Sequence, residues 1–425
     1  MISTCDGGCG PVCGCETGAI SPLIVDSGCD FIGGCDSIGS CGYPASCDCG
    51  GCSAGGLGVG AGGGFSAASG SRLWASTEYL GWWLSGMETP PLIATAPAGT
   101  ARGNTALNVA GQTVVGGTAG DLVDDYRSGF RLRVGAWQDL NKQFGIEGEY
   151  VFLEDASDFF QRSAGDSVGS TIFTRPFFNA LTNQQDTELV SFPGIVAGTA
   201  TVTGRSDFES AGIRVVGNLC QKCECNGSSR LDIMFGYRYA GLKESLVITE
   251  DLQPTDGGSF AIADSFRTSN RFNGGEVGFR WHQFRSRYDL QLLAKLAFGT
   301  NSQNVTIRGT QTTIDGQGLV DNFDAGFFAL SSNSGSFSRD EFALIPELGA
   351  TLGVRLGEFT RLQFGYSLIY WDRVVRPGEH IDLAINPNLA PPPVSPLVGP
   401  LRPEFRFDDT SVVAHGFNIG LLYNF

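Results

Sequence analysis

The chain is poor in lysine, with four against 24 arginines, and it has three histidines and three methionines in 425 residues. It has no long apolar run. No stretch of about 18 apolar residues occurs, which excludes a transmembrane helix, and the mean hydropathy is only +0.01. It has no surplus of positive charge. A net charge of −16 argues against nucleic acid, because phosphate contacts need a basic patch. No lysine or arginine precedes Arg72, so no export leader, with its basic start and apolar centre, is visible. The features below demand export, and the expectation is that such a leader lies upstream of Met1. The length leaves room for two or three ordinary domains or one large one.

Cysteine is plentiful but confined, with ten of the 13 in residues 5–52. Cys29, Cys35, Cys41 and Cys47 recur every six residues. A repeat with so few large apolar side chains cannot bury a core. Residues 1–71 therefore read as a disordered Cys/Gly-rich head and linker, and the run GLGVGAGGG at 56–64 is linker with no phosphate-binding context. In an oxidising compartment the head is expected to form disulfides, some of them to other envelope proteins. A metal site from Cys47, Cys49 and Cys52 is the weaker alternative, because zinc sites usually show separated CxxC pairs. Cys220, Cys223 and Cys225, in the run CQKCEC, read as a periplasmic disulfide plus one spare thiol in a turn, with a ligand set as the alternative, and the odd total leaves at least one sulfur over. No metal or cofactor is expected.

From Leu73 the sequence changes to strand-length runs of period two. Ten are found: 73–84, 128–138, 143–153, 206–219, 230–241, 264–284, 288–299, 339–356, 360–373 and 408–425. In one, Leu231, Ile233, Phe235, Tyr237 and Tyr239 alternate with Asp232, Met234, Gly236, Arg238 and Ala240. Alternation of this kind is the pattern of strands, not of helices. Tight turns follow the even strands, at 139–142, 220–229, 285–287 and 357–359, and long segments follow the odd ones, at 85–127, 154–205, 242–263, 300–338 and 374–407. Short and long connections alternating over an even strand number describe an antiparallel up-and-down barrel in an outer membrane. The expected class is thus all-β, a transmembrane barrel of about ten strands over residues 72–425. Twelve is the alternative, if the loops pair.

The end of the chain agrees. Phe417, Ile419, Leu421, Tyr423 and Phe425 share one strand face, a lipid-facing wall that would close the barrel against the first strand. Such an aromatic end suits recognition by barrel-assembly machinery. All six Trp fall inside the proposed strands, mostly towards their ends, where aromatic girdles meet lipid headgroups. The five long segments hold 20 acids against 10 basic residues, and the rest of residues 72–425 is balanced at 18 each.

Several stretches carry words as well as a pattern: EYLGWWLSG (78–86), RPFFNA (175–180), FGYRYAGLKESL (235–246), DSFRTSNRFNGGEVGFR (264–280), AKLAFG (294–299), FALIPELGATLGVRL (342–356) and IYWDRVVRPGEHID (369–382). In this order they resemble the beta-barrel porin-7 family, outer-membrane proteins found chiefly in planctomycete bacteria. The resemblance spans residues 72–425, and it implies an outer-membrane barrel without implying an activity.

With the apolar face outward, the lumen receives Glu78, Glu147, Glu149, Asp232, Glu276, Asp289 and Glu347, and Arg131, Arg133, Arg214, Arg238, Arg280, Lys295, Arg355 and Arg361. Ten strands lie near the eight whose interior side chains just fill, whereas wide channels need about sixteen. Near-equal opposite charges in so narrow a space should pair. Two functions follow: a narrow porin-like channel for small solutes or ions, with this ladder as its constriction, or a non-conducting structural barrel anchored by the head's disulfides. Its partners would be outer-membrane lipids. An enzyme has little to stand on. His282 sits near the turn end and His415 on the apolar face, so only His380, with Glu379 and Asp382 in a long loop, could act as a base.

Overall fold

The computed structural model describes residues 72–138, 142–224 and 227–425. The head, with Cys29, Cys35, Cys41 and Cys47, lies outside these, as does Cys225.

Ten antiparallel strands form a closed ring: β1 (Leu73–Leu84), β2 (Tyr126–Trp137), β3 (Phe144–Ala164), β4 (Val196–Glu224), β5 (Gly227–Pro254), β6 (Ser259–Phe284), β7 (Tyr288–Ile314), β8 (Gly335–Arg355), β9 (Thr360–Val374) and β10 (Thr410–Asn424). Each pairs with its neighbours in sequence, and β1 meets β10 from Trp74 opposite Asn424 to Leu84 opposite Ala414. A closed ring leaves no edge for lipid to desolvate. No twelve-stranded ring forms. The short strand Val320–Phe323 pairs with Gln311–Ile314 of β7, beyond the point where β8 leaves it at Ile307, and adds to the rim of the wall without entering the ring.

Three of the expected long loops are largely strand. β4, β5, β6 and β7 run for 29, 28, 26 and 27 residues, where roughly 9–11 would cross a bilayer at a tilt. Only residues 255–258 separate β5 from β6, and only 225–226 separate β4 from β5, a tighter turn than 220–229.

The reason lies in the alternation. Low on β5, Phe235 and Tyr237 are exposed while Asp232 and Arg238 are buried. Higher up, Leu242, Leu246, Ile248 and Leu252 are buried, and Lys243 and Asp251 are exposed. The apolar face thus switches from outside to inside partway along the strand. Below the switch the surroundings are lipid. Above it they are water, and the interior is a packed core.

The segments 85–125, 165–195, 315–334 and 375–409 build that core. Strands Ile93–Ala96, Gln112–Val115, Ile172–Asn179, Gln184–Ser191 and Ala384–Ile385 make a second, five-stranded sheet. Leu92, Ile93, Phe177, Val190, Phe328 and Ile385 are buried with Leu246, Ile248, Phe266, Val305 and Ile307 of the wall in one apolar cluster. The long end of the cylinder is therefore plugged by its own connections.

The tryptophans depart from the girdle expectation. Trp82 and Trp371 are fully buried inside the barrel. The exposed aromatic ring is made chiefly of Tyr and Phe, including Tyr79, Tyr126, Phe130, Tyr366 and Tyr370, with Trp83. Alternation decides the side: Trp82 and Trp83 are adjacent, so one must face in.

Candidate functional site

The lumen is where charge concentrates, and its contents stack in three layers. Nearest the tight turns, eleven side chains form one connected ionic network. Arg131 meets Glu78 at 3.4 Å and Glu347 at 3.7 Å, while Arg133 also binds Glu78. Arg238 joins Glu347 at 2.7 Å to Glu276 at 3.3 Å. Arg214 reaches Glu149 at 2.9 Å, Glu276 at 3.4 Å and Glu147 at 3.7 Å. Arg280 holds Glu147 at 2.7 Å, and Lys295 sits among Glu149 at 2.9 Å, Glu347 at 3.0 Å and Glu276 at 3.8 Å. Six cations face five carboxylates. Many of these contacts cross the ring instead of running along it, as from β2 to β8 or β5 to β8, so the opposite walls are tied together.

The four other lumen residues named above belong to the same layer, at its turn-side edge. Asp232 accepts from Arg230 at 2.6 Å and from Asn218 at 3.1 Å. Asp289 pairs with Arg361 at 3.5 Å. Arg355 stands opposite Arg361 in the β8–β9 register and is half-buried.

The second layer is apolar. Trp82, Leu84, Leu153, Phe208, Phe272, Ile345 and Trp371 belong to one buried cluster, with Phe272 edge-on to Trp371. The Trp82 indole N–H donates to Asn418 Oδ1 at 2.8 Å, and the Arg131 guanidinium lies 5.3 Å from its ring centre. Charge below and apolar side chains above therefore meet without a gap.

The third layer is the plug, pinned by two buried arginines. Arg376 binds Glu244 twice, Nε to Oε2 at 2.8 Å and Nη2 to Oε1 at 2.7 Å, and donates to the carbonyls of Ser85, at 3.0 Å, and Gly86. Arg175, fully buried on the plug sheet, binds Glu250 and, at 2.8 Å, Asp264 of the wall, and its guanidinium lies 4.2 Å from the Phe328 ring centre. Asp264 Oδ1 also accepts from the backbone N–H groups of Phe327, Phe328 and Ala329 at 2.9–3.1 Å. Glu188 stands nearby, one carboxyl oxygen buried and without a hydrogen-bond partner. Burial and the neighbouring Glu250 hold its pKa well above the usual carboxylate range. Burial raises Glu250 as well, against the pull of Arg175.

Arg127, Arg175, Arg230, Glu244, Glu250, Asp264 and Arg376 were not among the expected lumen charges. The signal was present for most of them. Arg127 precedes Arg131 by four residues, Arg230 precedes Asp232 by two, and Glu244 and Glu250 continue the inward parity of Asp232 and Arg238. Arg175 and Arg376 sit in connections, where parity says nothing.

The histidines do not form a catalytic set. His380 is buried, its Nδ1–H donating to the Arg406 carbonyl at 3.0 Å, and burial lowers its pKa. The Asp382 carboxylate is taken by Arg402 and by the N–H groups of Ala384 and Glu404, each at 2.9 Å. Glu379 is half-buried, and burial with Glu88 and Asp408 nearby raises its pKa. His282 lies against Phe284 at the turn end, and His415 bonds Tyr366 among the outward aromatics. Cys220 is half-buried at a bulge near the end of β4, and Cys223 lies three residues further along. On β10, Phe417, Ile419, Leu421 and Tyr423 are exposed on the outer face, as is Phe425 just beyond it, while Asn418 is buried.

Comparison with known proteins adds the following. A family profile described as Putative beta barrel porin-7 (BBP7) matches residues 74–425. No curated protein matches. Among solved structures, the outer membrane protease OmpT from Escherichia coli is similar over 83% of this chain and 97% of its own, at 9% identity and TM-score 0.35. A Pseudomonas aeruginosa FadL homologue covers 84% and 92% at 9% identity and TM-score 0.25. The P. putida toluene transporter TodX covers 84% and 91% at 8% identity and TM-score 0.16. Likeness at this level says nothing about this chain's activity.

Proposed function

Because the chain belongs to the Putative beta barrel porin-7 family over residues 74–425, we propose that it is an outer-membrane barrel closed to solutes at rest, serving the envelope as a structural anchor. One observation carries this reading: the lumen is occupied through its height by the ionic network, the apolar layer and the plug. Moving a hydrated solute through would mean breaking cross-ring ion pairs, each costing about 3–5 kcal/mol if a partner is left uncompensated. The tight turns face the periplasm in such barrels and the long end faces out. The head would then act on the periplasmic side, its cysteines linking the barrel to other envelope proteins. The reading involves no chemistry, since Asp382 is committed to the loop backbone and to Arg402 and is not poised beside His380.

A second reading is favoured by a different observation. Arg131 Nη2 with Glu347 Oε1, at 3.7 Å, and Arg214 Nη1 with Glu276 Oε1, at 3.4 Å, meet only as ion pairs and make no hydrogen bond, and buried groups left short of hydrogen bonds are ordinarily completed by water. A hydrated ionic layer is the kind of constriction a narrow channel for small ions uses. Planar-bilayer recording of the refolded full chain separates the two. The anchor reading expects no discrete current steps, and reproducible steps in the unaltered protein would replace it with the channel.

A further inference from the structure

Nearly every inward arginine has a carboxylate partner, but one group of outward cations has none. Arg205 of β4, Lys243 of β5, Arg267 and Arg271 of β6, and Arg308 of β7 are exposed on four consecutive strands. None forms an ion pair within 4 Å with a described residue. Arg205 and Arg267 both stand opposite Ser245, Lys243 faces Ser269, and Arg308 faces Ser265. With strands about 4.8 Å apart, the five make one patch. The carboxylates near the patch are Asp207 opposite Lys243, Asp155 of β3 beside Asp207, Asp340 of β8 opposite Ser302, Asp251 higher up, and Glu209, whose oxygens accept from the Tyr150 and Tyr239 hydroxyls.

The height of the patch is informative. On the same wall Tyr237, Phe279 and Phe298 are exposed apolar residues, and Phe298 stands opposite Gly275. Arg271 is four residues further out. At about 3.3 Å per residue and the usual barrel tilt, that is about 10 Å above Phe298, and it is two residues above the level of the exposed Phe342 on β8, where the apolar belt gives way to the headgroup region. Beside it a cavity of about 340 Å³ is edged by Arg271, Ser302, Gln303, Asn304, Ser338, Arg339 and Asp340, with the Asn304 amide donating to Ser338 Oγ at 2.8 Å. In a chain with a charge of −16, five neighbouring cations without an ion pair at this depth are not explained by composition.

We propose that the β4–β7 outer wall binds phosphate groups of outer-leaflet lipids, Arg271 and Lys243 at the lower level and Arg205, Arg267 and Arg308 above. The guanidinium fork matches phosphate oxygens two at a time, and the apolar belt below receives the acyl chains of the same lipid. The inference depends on the outward orientation of the long end, not on whether the lumen conducts.

The test is native mass spectrometry of the refolded full chain in a non-ionic detergent, with dioleoyl phosphatidic acid and dioleoylglycerol as probes. The expected result is retention of phosphatidic acid but not of dioleoylglycerol. The K243Q/R271Q variant should bind about 30-fold more weakly, about 5-fold per cation. R102Q/R162Q, which removes the same charge elsewhere, should bind as the unaltered chain does. Both lost cations are exposed and unpaired, so folding, read from heat-dependent gel migration, should survive. If it does not, R205Q/R267Q takes the pair's place. Retention unchanged in the wall variants, equal loss in R102Q/R162Q, or displacement of the lipid by millimolar inorganic phosphate would each overturn the assignment.

Discussion

Arg376 shows what a single residue does here. Its five-donor fork is filled by Glu244 on one side and by the Ser85 and Gly86 carbonyls on the other, so one side chain joins the exit of β1, the wall of β5 and the start of the last connection. Replacing it with methionine keeps the volume but strands Glu244 without its cation. R376M should lose about 3–5 kcal/mol in urea unfolding, and R376M/E244L should recover much of it, because removing both charges removes the desolvation cost. Glu188 gives the matching pH prediction. Its pKa is raised on folding by burial and by Glu250, so the folded state holds a proton that the unfolded chain releases. Stability is then greatest below the ordinary glutamate pKa and falls as pH rises towards the raised value. Hydrogen exchange in 172–191 should quicken with pH beyond the intrinsic rate, and E188Q should flatten that slope. A slope unchanged in E188Q would assign the effect elsewhere.

Among elements, legibility in the sequence tracks how local the cause is. All ten ring strands follow from alternation, because each meets lipid on one side only, and β1 with β10 closes where the terminal apolar residues imply. The upper halves of β4 to β7 read as loops because their hydrophobic phase inverts above the membrane, although the period of two never stops. Nothing marks the plug. Ile93–Ala96 is four residues long and pairs with Ile172–Asn179, which in turn pairs with Ala384–Ile385, partners that no local pattern reveals. Parity along the strands marks which charges face inward, whereas it does not fix the side of Trp82 and Trp371, because both faces of β1 and β9 carry aromatics. The VVRPG run makes sense only with the plug in view: a Cβ on Gly378 would lie 1.8 Å from the Glu88 carbonyl oxygen. G378A must therefore push the last connection off the first. Its expected cost is about 1–3 kcal/mol, with faster hydrogen exchange at 86–95 and 375–385 and unchanged exchange low on β7. Slow exchange throughout would mean that the two segments yield without strain.

At the scale of the whole molecule, the three layers block the lumen in series, and each rests on different side chains. The ionic network belongs to the ring strands alone, and so does most of the apolar layer. The plug belongs to the connections and touches the ring chiefly through Arg175, Arg376 and the apolar cluster. Loss of part of the plug should therefore leave the ring intact. Replacing residues 166–194 with a short turn removes Ile172–Asn179 and Gln184–Ser191 but spares the β3–β4 register, which still ends at Ala164 opposite Gly198. Glu250 and Asp264 lose Arg175 in that variant, but the opening of the plug admits water to both, and a solvated carboxylate carries no burial cost. The shortened barrel should fold and keep its heat-dependent gel shift. It should also stay silent in planar bilayers, because Trp82, Trp371, Phe208 and Phe272 still close the middle and the cross-ring ion pairs close the turn end. Current steps from the shortened barrel alone would place the whole seal in the plug and make the lower layers a conducting path.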